Sequence, residues 1–294
     1  MRITNGMLIT NMMRNYNKNM KDLAKLQEHL ASGKKILRPS DDPVAISRSL
    51  KLKADLAYNK QYVSNTDNAL SWLESTELAL KDLGDVLQRV REMAVKAGSG
   101  SLSLEDRAAI ADEIQQLQNH VVQLGNATYA DRYIFAGYKT DQPAFAEQGN
   151  QLVYQGDNGK IAYETGVGSR IDVNVIGGDG GVEIDKIYDV LERFKNDLMD
   201  PANPELDGYI GEIDQRIIQV LSLRSEAGAK VNRFELIRAR LKDEEINFTN
   251  LLSQNEDADI AEIIVWFKEA ENVYRASLAT GARIIMPTLI DFLR

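Results

Sequence analysis

The segment from Pro43 to about Ala97 constrains the fold most, because it contains no further proline and repeats small and apolar residues in steps of three and four. The repeated positions are Leu73, Thr76, Leu80, Leu83, Leu87, Val90, Ala94 and Ala97. This spacing predicts one long helix with a seam for a second helix. At 1.5 Å per residue, a straight helix over this segment is about 80 Å long, so other long helices must cover its seam.

Helical spacing also marks both ends of the chain. The N-terminal stripe, with Gln27 as its polar exception, comprises Ile9, Met13, Tyr16, Met20, Leu23 and Leu30. The C-terminal apolar face comprises Ile260, Ile263, Ile264, Phe267, Tyr274 and Leu278. Two further helical segments are predicted over 110–128 and about 209–252. Because neither terminal stripe can remain in water at reasonable cost, we expect the ends to pack against each other or against copies of the chain.

The middle of the chain has a different pattern. The stretch "LVYQGDNGKIAY", residues 152–163, predicts a β-hairpin with its turn at Asp157-Asn158-Gly159. The stretch "RIDVNV", residues 170–175, alternates with period two, and an amphipathic helix is predicted to follow over 183–198. The sequence therefore predicts a mainly α protein, in which long coiled-coil-like helices from both chain ends form a bundle and a small β-rich domain is inserted in the middle.

A polar joint, "SGKKILRPSDDPVAIS", separates the first two predicted helices. Asp42 and Pro43 suit the N-cap and first position of the long second helix. The joint's candidate contact residues are Lys34, Lys35, Arg38, Asp41, Asp42 and Pro43. We expect the basic residues to lie within reach of the two aspartates or of acids on a neighbouring subunit. Two interpretations stay open: an ordinary capped connection, or a joint that sets the angle of an end helix and contacts the next subunit.

Composition excludes several classes of function. The net charge of −9 and the pI near 5.0 argue against nucleic acid and against an anionic membrane surface as partners. The absence of cysteine removes thiolate metal sites and thiol catalysis. His29 and His120 lie in helical segments without a catalytic or metal-binding pattern around them. We therefore expect no catalytic residue, no cofactor and no metal, and the chain is not expected to be an enzyme.

Four separated blocks of this sequence resemble the flagellin family. They are "LASGKKILRPSDDPVAISRSLKLKADL", "RYIFAGYKTDQPAF", "RSEAGAKVNRFE" and "DADIAEIIVWFKEAENVYRASLATGARIIMPTLIDFLR". The form "ILRPSDDP" is more typical of the members that join hook and filament than of filament subunits. The resemblance covers the chain except for about 146–206.

The resemblance implies a layered fold and a structural function. The expected parts are an inner-layer helix with the joint over 1–42, outer helical regions over 43–135 and 183–253, a β-rich insertion over 136–182, and a C-terminal inner-layer helix over 254–294. The joint is then expected between the two layers. The implied function is to form the junction layer of the bacterial flagellum, between hook and filament, on which flagellin polymerises.

The resemblance also implies an export route and partners. Members leave the cell unfolded through the flagellar type III apparatus, so roughly residues 1–30 are expected to carry the export signal. The C-terminal apolar face is expected to bind a cytoplasmic flagellar export chaperone before secretion. The other expected partners are copies of the chain itself, flagellin and the neighbouring hook-associated protein 1. The expected location is extracellular, at the hook–filament junction, after a cytoplasmic stage.

Two alternatives stay open on the sequence. The first is a filament subunit, that is, a flagellin of the same fold at another place in the organelle. The second is a cytoplasmic coiled-coil scaffold or regulator, which composition and heptad spacing alone allow. The helical layout at both ends and the Asp-Asp-Pro joint favour a flagellar junction subunit over both.

Overall fold

The computed structural model describes residues 5–98, 103–149, 151–200 and 206–285. Within these ranges six helices form the bulk of the protein: α1 (Asn5–Ser32), α2 (Pro43–Gly98), α3 (Leu104–Gly125), α4 (Ile184–Met199), α5 (Asp207–Glu256) and α6 (Ile260–Ile285). Short strands lie between α3 and α4: β1 (Thr128–Tyr129), β2 (Arg132–Tyr133), β3 (Phe145–Gln148), β4 (Gln151–Tyr154), β5 (Ala162–Gly166) and β6 (Ser169–Asp172). The predicted fold class is confirmed.

The described residues pack into two compact units. The terminal unit contains the residues up to Tyr58 together with those from Glu245 onward, and the central unit is Asn59–Glu244. The five-part division expected from the sequence concerns layers of an assembly, and it stays a prediction.

In the terminal unit, α1 and α6 pack antiparallel along their lengths. The hydroxyl groups of Tyr16 and Tyr274 are 2.9 Å apart, and their ring centroids are 5.4 Å apart. About one turn further toward the start of α1, Gly281 makes room for Met12, because a Cβ on that glycine would lie 2.2 Å from the methionine Cε. The chain ends therefore cover part of each other's apolar surface, as amphipathic helices must.

In the central unit, α2 and α5 run antiparallel and hold the main core between them and α3. Three ion pairs connect the two helices, and each later residue of α2 pairs with an earlier residue of α5. The pairs are Asp67–Arg238 at 3.8 Å, Glu77–Arg224 at 2.6 Å and Arg91–Asp214 at 2.6 Å. The predicted α2 seam, Leu73 to Ala97, is buried at every one of its eight positions. The long-helix prediction is thus confirmed together with its inward-facing stripe.

Helices α3 and α4 close the other side of this core. Ser103 accepts a hydrogen bond from the Asp106 amide, and Asp106 accepts one from the Ser103 amide, which completes a capping box at the start of α3. Across the interface, Gln118 donates to Glu192 at 3.1 Å. The predicted amphipathic helix after the β-rich region is confirmed as α4, whose apolar side is buried.

The predicted hairpin over 152–163 is wrong. Strand β4 pairs instead with β3, and β5 pairs with β6, both antiparallel. Asp157 does not join β4 and β5 into a hairpin. Its carboxylate accepts a local hydrogen bond from the Gly159 amide at 3.0 Å and a long-range one from the Tyr138 amide at 2.6 Å. This long-range anchoring to the loop before β3 overrides the local turn signal. The "RIDVNV" strand also ends earlier than its alternation indicates, at Asp172.

No helix within the described ranges is long and apolar enough to cross a membrane.

We expect Gly137→Ala to destabilise the central unit far more than Gly168→Ala. Both glycines have left-handed backbone, with φ of +70° and +72°. A Cβ at Gly137 would lie 2.1 Å from the Asp157 carboxylate, whereas nothing lies within 4 Å of a Cβ at Gly168. The Gly168 variant should therefore lose about 1 kcal/mol from backbone strain alone. The Gly137 variant should lose roughly 2 kcal/mol more, because Asp157 is displaced from its donors.

Urea unfolding of both variants and of the unchanged chain measures this difference. Equal losses for the two variants would show that Asp157 does not fix the loop before β3.

Candidate functional site

A short backbone bridge fixes the joint of the terminal unit to the end of α5. The amide of Lys35 donates to the Glu256 carbonyl at 2.8 Å, and the amide of Ala258 donates to the Gly33 carbonyl at 3.0 Å. Gly33 has a φ of +68°, the conformation that ends many helices with glycine. The chain can therefore leave α1 and run alongside the connection between α5 and α6.

The side chain of Glu256 lies at the centre of this joint, with only 6% of its surface exposed. Lys34 approaches its carboxylate at 2.8 Å, and Lys53 makes a second, shorter ion pair. Burial by itself would raise the pKa of Glu256, but hydrogen bonds from Lys34, Lys53 and Ser49 outweigh burial and lower the pKa to about 2. A buried carboxylate with two cationic partners is held in place, since loss of the carboxylate would leave both ammonium groups without their shared partner.

The neighbouring residue, Asn255, binds the start of α2. Its side-chain amide donates to the Ala45 carbonyl at 2.8 Å and to the Ser49 hydroxyl at 2.6 Å. We call Lys34, Ser49, Lys53, Asn255 and Glu256 the clasp. The clasp connects the joint, the first turns of α2 and the last turn of α5.

The two aspartates of the joint organise its backbone. Asp42 accepts from the amides of Val44 at 3.0 Å and Ala45 at 2.9 Å, so its predicted N-cap function is confirmed. Asp41 accepts from Lys25 at 2.8 Å and from the Arg38 amide at 3.0 Å. These hydrogen bonds, the one from Lys25 first, lower the pKa of Asp41 to about 2.

The basic residues of the joint bind groups outside it rather than the two aspartates. Besides the Lys34–Glu256 pair, Lys35 donates to the Gln254 carbonyl at 2.7 Å. Arg38 donates to both carboxylate oxygens of Glu28, at 2.9 and 3.1 Å. Sequence reasoning missed Glu256 and Glu28 as partners because only the fold brings them to the joint. Contact between the joint and a neighbouring subunit stays a prediction.

The predicted N-terminal stripe divides into a packed part and an exposed part. Ile9, Tyr16, Leu23 and Leu30 are partly covered, whereas Met13 and Met20 remain 46% and 44% exposed. We call Met13 and Met20, which lie on the same side of α1, the methionine flank. The packed side also includes Met12, Leu26 and His29, which the sequence prediction left out.

The predicted C-terminal face divides in the same way. Ile263 is buried, and Phe267 and Tyr274 are half-buried on the side that packs against α1. Three predicted residues remain exposed along one side of α6, and we call them the isoleucine flank: Ile260, Ile264 and Leu278. On the opposite side of the packed stripe, Trp266 and Val273 are also exposed. The sequence prediction missed this pair, although its seven-residue spacing marks a second apolar line.

A groove of about 470 Å³ lies between α1 and α6 beside the clasp. Leu26, His29, Ile263 and Trp266 give it apolar walls, and Asp22, Lys25, Lys35, Asp259 and Glu262 line its edges. Among the described residues, no group of three or more His, Asp or Glu side chains is arranged to hold a metal ion. The terminal unit therefore offers apolar surface with charged borders, which suits packing against protein.

Sequence comparison finds flagellar proteins along the chain. The family model of the bacterial flagellin N-terminal helical region matches residues 3–140. Flagellar hook-associated protein 3 of Escherichia coli is 28% identical over 88% of this chain and 89% of its own length. A flagellin of Bacillus subtilis is 27% identical over 96% of each chain. The first of these relatives is named as a hook-associated protein and the second as a flagellin.

Comparison of the fold gives a related result. The structure of a putative flagellar hook-associated protein from Vibrio parahaemolyticus superposes with a TM-score of 0.67 at 22% identity. The match covers 74% of this chain and 100% of that one. At this identity the likeness supports the helical architecture.

We expect Glu256→Gln to open the joint locally. Loss of the carboxylate leaves Lys34 and Lys53 without their buried partner, at a cost of about 2 kcal/mol. Hydrogen exchange at the amides of Lys35 and Ala258, which form the bridge, should then accelerate about 30-fold. Glu269→Gln, on an exposed side of α6, makes the same chemical change and should leave both amides unchanged.

Acid should have the same effect on the unchanged chain. Because the pKa of Glu256 is lowered from 4.5 to about 2 in the folded state, its contribution is complete above about pH 4.5 and is lost as the pH falls toward 2. After correction for intrinsic exchange rates, the protection of the two bridge amides should fall through this window. It should fall much less in Glu256→Gln, in which Asp41, whose pKa is also lowered to about 2, still titrates. An equal pH response in the variant would assign the effect to another group.

Proposed function

We propose that the chain is a member of the flagellin family and a structural subunit of the bacterial flagellum, in the junction layer between hook and filament on which flagellin polymerises. The observation that carries this proposal is the near full-length similarity to hook-associated protein 3. The sequence of the joint, "ILRPSDDP", supports a junction subunit over a filament subunit. The flagellum is thus the proposed place of action, and assembly rather than catalysis is the proposed activity.

The exposed flanks of the terminal helices supply the driving force for assembly. The α1–α6 pair leaves the methionine flank and the isoleucine flank in water, five apolar side chains that are each 43–47% exposed. Covering the remaining exposed surface of one such side chain contributes about 1 kcal/mol. Contacts between different surfaces of identical subunits generate rings or helical layers. We therefore propose that both flanks pack against neighbouring terminal helices.

We also propose that the joint contacts the next subunit through its exposed charges. Arg38 is 65% exposed and its partner Glu28 is 50% exposed, so their mutual attraction is weak in water. Arg38 and Lys35 can therefore exchange partners when another subunit approaches. Lys34, Asp41, Asp42 and Pro43 hold the joint's own geometry, which presents those two basic side chains.

Export and the remaining partners are proposed from the family. We propose that the chain is exported unfolded by the flagellar type III apparatus after a cytoplasmic stage. During that stage an export chaperone would cover the C-terminal apolar face, which would otherwise associate early. In the extracellular junction the proposed neighbours are copies of this chain, hook-associated protein 1 and flagellin.

The second candidate function is the filament subunit itself. The Bacillus subtilis flagellin aligns with 96% of this chain, which favours this candidate among the alternatives. The two functions differ in copy number and position: a filament subunit is abundant along the filament, whereas a junction subunit forms a thin layer at its base.

Deletion of the gene in its own host separates the two candidates. For a junction subunit, we expect cells with bare hooks that release flagellin into the medium, because the filament lacks its starting layer. Electron microscopy of hooks and immunoblotting of the medium measure this. Loss of the filament with no flagellin released would identify the chain as the filament subunit, and unaltered flagella would contradict both assignments.

We expect Ile264→Asp to prevent incorporation of the chain into flagella while the soluble chain keeps its thermal stability. Ile264 is 47% exposed on the isoleucine flank, so a carboxylate there stays hydrated and costs little until a neighbour buries it. Leu78→Asp is the matched control, since Leu78 is also exposed on a helix, in the central unit. Immunogold labelling of complemented deletion cells measures incorporation. Normal junctions in the Ile264 variant would contradict the assembly function of this flank.

A further inference from the structure

We infer that a basic strip on the central unit binds the acidic surface of a second copy of this chain. The strip consists of five side chains: Arg132, Lys160, Arg170, Lys230 and Arg233. This inference rests on the proposed function, because it specifies how neighbouring subunits meet outside the terminal helices.

The strip lines two adjoining hollows of the β-rich region. The first, of about 470 Å³, lies between β6 and α5 and has Lys160, Arg170, Lys230 and Arg233 on its walls. The second, of about 530 Å³, adds Arg132 and shares Lys160 and Arg170 with the first. These two shared side chains make the hollows one continuous surface.

The floor of the first hollow is held firmly. Asn174 is 7% exposed there, donates to the Gly159 carbonyl at 2.7 Å and accepts from the Ile161 amide at 2.8 Å. Ile171 and Val175 beside it are buried. The backbone beside Lys160 and Arg170 is therefore fixed, so binding through these two side chains needs no ordering of the backbone.

The charges of the strip are only partly neutralised. Lys230 pairs with Glu226 at 2.9 Å, and Lys160 lies 3.9 Å from Asp172. Arg170 and Arg233 make no ion pair with any residue that the structure describes. Counting the third nearby carboxylate, Glu164, five cations face three acids. A guanidinium without a carboxylate partner is suited to bidentate binding of one.

A second copy is the occupant that the charges favour. Each chain carries a net charge of −9, so copies repel unless oppositely charged patches meet. The basic strip supplies such a patch, and the remaining acidic surface of a neighbour supplies its complement. Because the two patches differ, the contact is of the head-to-tail kind that builds layers and helical assemblies. A nucleic acid fits less well, because carboxylates border the strip and would repel phosphates.

Photo-crosslinking identifies the occupant directly. A benzophenone amino acid in place of Glu226, which lines the first hollow and is exposed, would be introduced into the full chain in its host. Purified flagella would then be irradiated and analysed by mass spectrometry. We expect a crosslinked dimer of this chain with the adduct in an acidic peptide. An adduct with a different protein, or none in flagella that contain the chain, overturns the inference.

Charge reversal tests whether the contact contributes to assembly. Arg233→Glu should reduce incorporation of the chain into flagella by roughly tenfold, and Arg170→Glu, which also faces Glu164 across the strand pair, should do the same if it folds. Lys242→Glu is the control, because Lys242 is exposed on the same helix and about 180° around it from Arg233. Thermal unfolding confirms that each variant folds.

The outcomes also separate this inference from the proposed function. If the unchanged chain and Lys242→Glu reach the junction and Arg233→Glu does so equally well, only the basic-strip contact is refuted. Equal losses in both variants would indicate a general charge effect and would also refute it. If the unchanged chain is absent from flagella, the proposed function fails first.

Discussion

The pairing of the chain's two ends is the interaction on which the terminal unit depends. Each end carries an apolar stripe, and each uses the other to cover one side, as the Tyr16–Tyr274 contact and the Met12–Gly281 fit show. The pair covers only part of either stripe. Only another molecule can cover the apolar surface that remains exposed. The same amphipathic pattern therefore stabilises the fold of a single chain and the proposed layer of many subunits.

Helical features of the sequence were predicted well because they depend on local spacing. The eight seam positions of α2 are buried, and Asp42 caps that helix. Periodicity and capping act within a few residues, so they can be read without knowledge of the fold. Both terminal stripes were also identified, although the structure divides each between a packed side and an exposed flank.

Features that depend on long-range contacts were not predicted. The prediction of a hairpin around Asp157 was wrong, because the Tyr138 amide donates to that carboxylate and β4 pairs with β3. Glu256 did not stand out among the carboxylates, since only the fold places Lys34 and Lys53 beside it. The basic strip combines residues from Arg132 to Arg233, and no local pattern connects them. In each case the missing information was which distant segments meet.

The sequence separation within the terminal pair has a consequence for the order of folding. Tyr16 and Tyr274 are 258 positions apart, and closing so long a loop in an unfolded chain is entropically costly and slow. The central unit lowers that cost, since at its boundary Asn59 and Glu244 are already in contact at 3.4 Å. Once that unit has folded, only the segments up to Tyr58 and from Glu245 onward remain to meet. The terminal helices therefore pair last and are the first to separate.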